Sequence, residues 1–192
     1  MSQLILASAS PRRKELLEQV GYEFRIEPTD ADETLPVNMT LEDGVIELAA
    51  RKAKTLTPQP GEVILAADTL VTQGGLALGK PKNNDEAFEM LRRLSGTTHE
   101  VITGVALFHA DGMERFYEKT IVSFNELDET LIARYIASKE PVDKAGAYGI
   151  QGLGAVLVKQ ITGDYNNVVG LPISLVYHKL KSYGIDPLIK ED

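Results

Sequence analysis

Leu4-Ile5-Leu6-Ala7-Ser8-Ala9-Ser10-Pro11-Arg12-Arg13 is the stretch that decides how this chain is read. The apolar residues 4–7 suit a short buried strand. Ser10 is placed to cap a helix, and Pro11 suits the first helical position, where a missing N–H costs nothing. Lys14-Glu15-Leu16-Leu17-Glu18 continues that helix. The hydroxyls of Ser8 and Ser10, the guanidinium groups of Arg12 and Arg13 and the unpaired N–H groups of a helix start then converge on one spot. Such a spot suits an anion, most naturally a phosphate. The same residues also describe a capped helix with solvated arginines.

Working outward, strand and helix patterns alternate. Residues 4–7 read as a strand and 11–20 as a helix stopped by Gly21. Residues 22–28 read as extended, followed by the acidic loop Asp30-Ala31-Asp32-Glu33. Thr40-Leu41-Glu42-Asp43 resembles a capping box opening a helix. Val45, Ile46, Leu48, Ala49, Ala53 and Leu56 supply that helix with an apolar face. Residues 63–67 form a continuous apolar run, as a strand buried on both faces should, and the strand ends at Asp68-Thr69. Gly74-Gly75 marks a tight turn. Asn84 is placed to cap a helix over 85–94. Residues 101–110 and 116–124 read as a long hairpin turning at Asp111-Gly112. Further on, the pattern predicts a helix over 131–137, a glycine-rich stretch over 143–154, a strand over 155–161 and a last helix from about 172 to 184. The sum is α/β with a mixed sheet, because the hairpin breaks a purely parallel plan.

Composition narrows the function. The chain has 192 residues, enough for one large domain or two closely joined lobes, and 43% are hydrophobic. Its formal net charge of -8 argues against general binding of nucleic acid or an anionic membrane, which needs a basic face. A polyanionic ligand still fits if positive charge is local. With no cysteine, disulfides, thiolate chemistry and Cys-based zinc sites are excluded. No apolar run approaches the roughly 20 residues of a spanning helix, and no signal-peptide pattern opens the chain. The expected compartment is the cytoplasm.

Asp68 is the first catalytic candidate, since α/β folds place functional side chains at strand ends. A carboxylate there is costly unless it holds a cation or does chemistry, although it could also shape the turn through backbone N–H groups. Asp30, Asp32 and Glu33 add oxygen ligands of the kind Mg²⁺ or Mn²⁺ prefers, or are plain solvated surface. His99, His109 and His178 do not have metal-motif spacing. Positive charge recurs at Arg51, Lys52, Lys54, Lys80, Lys82 and Lys144, and several such cations meeting near Arg12 and Arg13 would neutralise a triphosphate. Gln151 could read a base edge. Tyr148 could stack on a base or pack in a core. No Walker-type phosphate loop occurs, which leaves a phosphotransferase without support.

Taken together, the segments resemble the Maf family of nucleotide pyrophosphatases, also called septum-formation-inhibitor-like proteins. The matching runs are Ser8 to Leu17, Ala67-Asp68-Thr69, Gly79-Lys80-Pro81, Met90 to Gly96, Lys139-Glu140-Pro141, Asp143 to Gly152 and Val169-Gly170-Leu171-Pro172. They follow family order through nearly the whole chain. The resemblance implies a single Maf-like domain over 1–192 with two closely joined lobes. Its fold would be α/β: a long mixed sheet with flanking helices around a central cleft, similar to inosine triphosphate pyrophosphatases. It also implies hydrolysis of nucleoside triphosphates to monophosphate and pyrophosphate with Mg²⁺ or Mn²⁺, held by Asp68 and Glu33. Asp68 falls on the family's proton acceptor, and Arg12, Thr69 and Gln151 fall on its specificity positions. Glu33, Lys52 and Lys80 match by order and complete the catalytic set, with Ser8, Ser10 and Arg13 on the phosphate side. These residues look like the branch acting on dTTP and UTP. The resemblance further implies a homodimer. A nucleotide-binding regulator of septum formation is the alternative.

Overall fold

The computed structural model describes residues 2–187. The opening unit folds as β1 (Gln3–Leu6), a turn and α1 (Pro11–Gln19). Ser10 holds the N-cap position and Pro11 the first helical one, but the Ser10 side chain makes no cap bond. Its backbone N–H donates instead to Ser8 Oγ at 3.2 Å. At the other end Gly21 takes φ 84, and the Gly21 and Tyr22 N–H groups donate to Glu18 O and Leu17 O. That is the glycine-terminated ending the sequence suggests.

The remaining elements are β2 (Phe24–Ile26), α2 (Leu41–Ala53), β3 (Glu62–Gln73), β4 (Leu76–Leu78), α3 (Asn84–Leu94), β5 (Thr98–His109), β6 (Gly112–Phe124), α4 (Glu129–Ala137), β7 (Val158–Thr162), α5 (Tyr165–Val169) and α6 (Ile173–Lys181). Short 3₁₀ turns occupy Glu140–Asp143, Ala145–Ala147 and Gly152–Val156. The seven strands form one mixed sheet in the order β2-β1-β3-β5-β6-β7, with β4 paired to β3. β1 runs parallel to both β2 and β3, while β3–β4 and β6–β7 are antiparallel.

Several expectations are corrected. Asp68 does not end its strand, because β3 continues to Gln73, where it pairs with β4 across the Gly74-Gly75 turn. Asn83, not Asn84, caps α3: the Glu86 N–H donates to Asn83 Oδ1 at 2.8 Å, and Glu86 Oε2 accepts from the Lys82 N–H. Both asparagines can cap; the reach back from Glu86 selects the first. α4 starts two residues early because Asp128 accepts from the Leu131 N–H. β5 starts three residues before its expected start, β6 starts four residues before its own and ends at Phe124 as expected, and the turn falls at Ala110-Asp111. Residues 152–156 coil before β7 begins, and α5 is an unforeseen short helix.

By backbone contacts the chain divides into two compact units. The first draws on Met1–Asp68, Thr103–Glu118 and Gly170–Asp192, and the second on Thr69–Ile102 and Lys119–Val169. The chain therefore passes from one unit to the other between Asp68 and Thr69, inside β3.

In the first unit, α2 lies on β1, β3 and β5 through small residues: Ala49, Ala50 and Ala53 meet Ala7, Ala66 and Ala106. Small side chains let a helix approach a sheet closely, and Gly104 marks the limit. A methyl group there would stand 2.5 Å from Val45 O and 2.7 Å from Ile46 N. Thr40 caps this helix as expected, accepting from the Asp43 N–H at 3.1 Å and donating to Asp43 Oδ2 at 2.9 Å. In the second unit, α3 and α4 pack with Leu91, Leu94, Ile132 and Tyr135 around Phe124 and Tyr148.

Candidate active site

Alternation along β3 puts Ile64, Ala66 and Asp68 on one face. Ile64 and Ala66 pack against α2. Asp68 follows that apolar pair on the same face, and Lys52, in the last turn of α2, meets it there. Lys52 Nζ donates to Asp68 Oδ1 at 2.9 Å and to Glu33 Oε1 at 2.8 Å. The Lys52 and Asp68 side chains are only 12% and 16% exposed, whereas Glu33 is 56% exposed. One ammonium thus ties a carboxylate of the sheet to a carboxylate of a loop. A cation in the final turn also complements the helix dipole.

The loop bearing Glu33 is fastened by the residue before Lys52. Arg51 donates through Nη1 to Thr34 O at 2.9 Å and lies 3.5 Å from Asp32 Oδ2. The Thr34 hydroxyl and backbone N–H hold the Asp32 carboxyl below its usual range. In sequence Arg51 is one of several cations; its partner is a backbone oxygen 17 residues away, so no local pattern announces it.

At the start of α1 the arginines part company. Arg13 is buried, donating through Nε to Gly170 O at 2.8 Å and through Nη1 to Ser8 Oγ at 3.2 Å. Burial pushes its guanidinium down from the ordinary arginine value, while the charges of Asp68 and Glu33 pull it back up. Arg13 therefore braces the turn and adds positive field beside the carboxylates. Arg12 and Ser10 are partly exposed, and Ser8 is buried.

Thr69 follows Asp68 on the other face of β3 and is half-buried. Lys80 and Gln151 belong to the second unit and are both exposed. Lys80 follows Gly79, whose carbonyl accepts from the Gly146 N–H at 3.1 Å. Gln151 projects from a turn between Gly149 and Gly154. Lys144 is engaged locally, donating to Glu140 O at 2.7 Å and to Asp143 Oδ1 at 2.8 Å. Tyr148 takes its packing role: it is buried edge-on to His99 and Phe124, with its hydroxyl 2.7 Å from His99 Nε2.

Asp68 and Glu33 are the carboxylates that meet at one cation. Among the described residues no group of three or more His, Asp or Glu side chains could hold a metal ion. Magnesium commonly binds one or two carboxylates and takes further oxygens from substrate phosphates. The pair fits that mode and does not fit an all-protein cage. Among the described residues no helix is long and apolar enough to cross a membrane.

A family model described as Maf-like protein matches residues 3–183. A Bacillus cereus protein named dTTP/UTP pyrophosphatase is 51% identical over 97% of this chain and 92% of its own length. A Bacillus anthracis protein of the same name is 51% identical over 97% of this chain and 98% of its own. Among solved structures, the Staphylococcus aureus Ham1 protein matches with a TM-score of 0.56 at 14% identity, covering 94% of this chain and 99% of that one. At that identity the likeness concerns the fold alone.

Proposed function

Because the chain belongs to the Maf-like protein family, we propose that it hydrolyses dTTP and UTP to the monophosphate and pyrophosphate. The observation that carries this reading is the Asp68–Lys52–Glu33 cluster, in which two carboxylates each accept a hydrogen bond from one ammonium. The names of relatives half identical over nearly the whole chain supply the substrate class.

In this reading water attacks the α-phosphorus and pyrophosphate leaves. Asp68 takes the proton of the attacking water on a carboxylate oxygen; general-base help of this kind is worth about 10²- to 10⁴-fold in rate. A Mg²⁺ or Mn²⁺ ion held by Asp68, Glu33 and triphosphate oxygens would neutralise charge developing on the phosphates. Lys52 balances the two carboxylates before substrate arrives and then offers its protons to phosphate oxygens. Arg12 and Lys80 supply further charge to the triphosphate, with Ser8, Ser10 and Arg13 shaping the turn that receives it. Thr69 and Gln151 donate and accept at the pyrimidine edge. A site built on such bonds rejects a base lacking the matching groups.

The test is a panel of dTTP, UTP, CTP and ATP with Mn²⁺ or Mg²⁺, scored for monophosphate and pyrophosphate. The reading expects dTTP and UTP to lead in kcat/KM and activity to stop with a chelator. Comparable kcat/KM for ATP and dTTP would remove the substrate assignment. Tight binding without products would favour the regulator.

A further inference from the structure

Glu140 has no part in the mechanism above, yet its carboxylate gathers the backbone of the turn that carries Gln151. Resting on the proposed pyrimidine selectivity, we infer that Glu140 and Tyr135 are positioning residues that fix the pose of Gln151 and so set base discrimination.

The turn is held on both sides of Gln151. Before it, the Gly149 N–H donates to Tyr135 Oη at 3.0 Å. After it, the Leu153 N–H donates to Glu140 Oε2 and the Gly154 N–H to Glu140 Oε1, each at 3.0 Å. The Tyr135 hydroxyl donates to Glu140 Oε1 at 3.0 Å and joins the two anchors. Three backbone N–H groups therefore end on one phenol–carboxylate pair, and bonds to a charged acceptor are the stronger kind.

Sterics close the same turn. A methyl group on Gly154 would stand 1.9 Å from Gly149 O and 2.9 Å from Tyr135 Oη. One on Gly152, at φ 61, would stand 3.0 Å from Glu140 Oε2. The ends of the turn thus touch, with Ile150 buried and Gln151 exposed at the tip. Glu140 is fixed in its turn by Lys144 Nζ on its carbonyl and by its own N–H on Ser138 Oγ at 3.2 Å. Tyr135 stands in the core of α4, where burial pushes its phenol up and keeps the proton it donates.

Neither residue touches substrate in this account. An amide that must match donor and acceptor to a base edge discriminates only when its approach is fixed. A turn free to rock loses discrimination before it loses hydrolysis.

The experiment measures kcat and KM for dTTP and ATP in the full chain carrying Glu140→Gln or Tyr135→Phe, each alone and together with Gln151→Ala. Thermal unfolding reports the folded fraction. Tyr135→Phe removes one hydroxyl and keeps the ring, so it tests the idea even where Glu140→Gln folds poorly. The expected result is a rise in KM for dTTP of about tenfold, with kcat little changed and the dTTP-to-ATP preference reduced by a similar factor. In the Gln151→Ala background neither variant should lower the preference further, as residues acting in series do not add. An unchanged preference in both single variants would overturn the inference while leaving the proposed activity standing, as would equal losses with and without Gln151. A wild-type chain that hydrolyses neither nucleotide would remove both.

Discussion

Lys52 Nζ lies 2.9 Å from Asp68 Oδ1, joining the last turn of α2 to the middle of β3 through two side chains largely withdrawn from solvent. Breaking one side of such a pair costs more than removing both, because a partly buried charge is left uncompensated. Asp68→Asn should lower turnover by about 10²- to 10⁴-fold and leave nucleotide binding in place. Lys52→Met should lower unfolding stability by about 1–2 kcal/mol, and the double variant should recover part of that loss. Urea unfolding and steady-state kinetics on the three variants check both statements. Turnover in Asp68→Asn close to wild type would count against Asp68 as proton acceptor.

Arg51→Ala should separate stability from activity. The pairs it makes with Asp32 and Glu47 are long and partly exposed, so global stability should change by less than about 1 kcal/mol. Its bond to Thr34 O, however, holds the loop that presents Glu33. Hydrogen exchange at the Thr34 amide should quicken, and kcat/KM should fall about tenfold as Glu33 loses its fixed approach. Exchange at Thr34 equal to wild type would show that the loop does not depend on Arg51.

Gly104→Ala should act at a distance. The added methyl meets the backbone of α2, not a flexible side chain, so the helix itself has to shift. The expected cost is about 1–3 kcal/mol, read as a lower Tm, together with reduced activity because Lys52 rides on the same helix. Full activity and an unchanged Tm would contradict the close helix–sheet contact.

His99 should make stability depend on pH. Burial pushes its imidazole down to about 4, so the folded chain keeps the ring neutral where the unfolded chain would protonate it. The stabilisation is therefore complete above the unfolded value of about 6.5 and is lost as pH falls towards 4, by roughly 3 kcal/mol across that window. His99→Gln should remove this component: the stability gap between wild type and variant should narrow as pH drops from 7 to 4. A gap constant over that range would contradict a buried neutral His99.

Much of the first unit was legible in the chain because its signals are local. Ser10-Pro11 and Gly21 bound α1, Thr40 with Asp43 opens α2, and the apolar run 63–67 marks the buried half of β3. Long-range contacts were not legible. Thr69-Leu70-Val71-Thr72 is a β-prone run that leads up to the Gly74-Gly75 turn, but the pairing with β4 that fixes the end of β3 is not written in it. Arg12 and Arg13 look alike in sequence, yet only Arg13 turns inward, to a carbonyl 157 residues away. Glu140 sits in Lys139-Glu140-Pro141 with no local sign of its role, because the backbone it holds lies 13 and 14 residues further on. The helix α5 has only five residues, too few for a periodic pattern.

In the proposed reaction this chain cleaves pyrimidine triphosphates between the α- and β-phosphorus by attack of water on the α-phosphorus. Hydrolysis of dTTP in ¹⁸O-labelled water, followed by mass analysis of both products, tests it most directly. The expected products are dTMP carrying one heavy oxygen and unlabelled pyrophosphate. Label in the pyrophosphate, or release of single phosphate with dTDP, would contradict it.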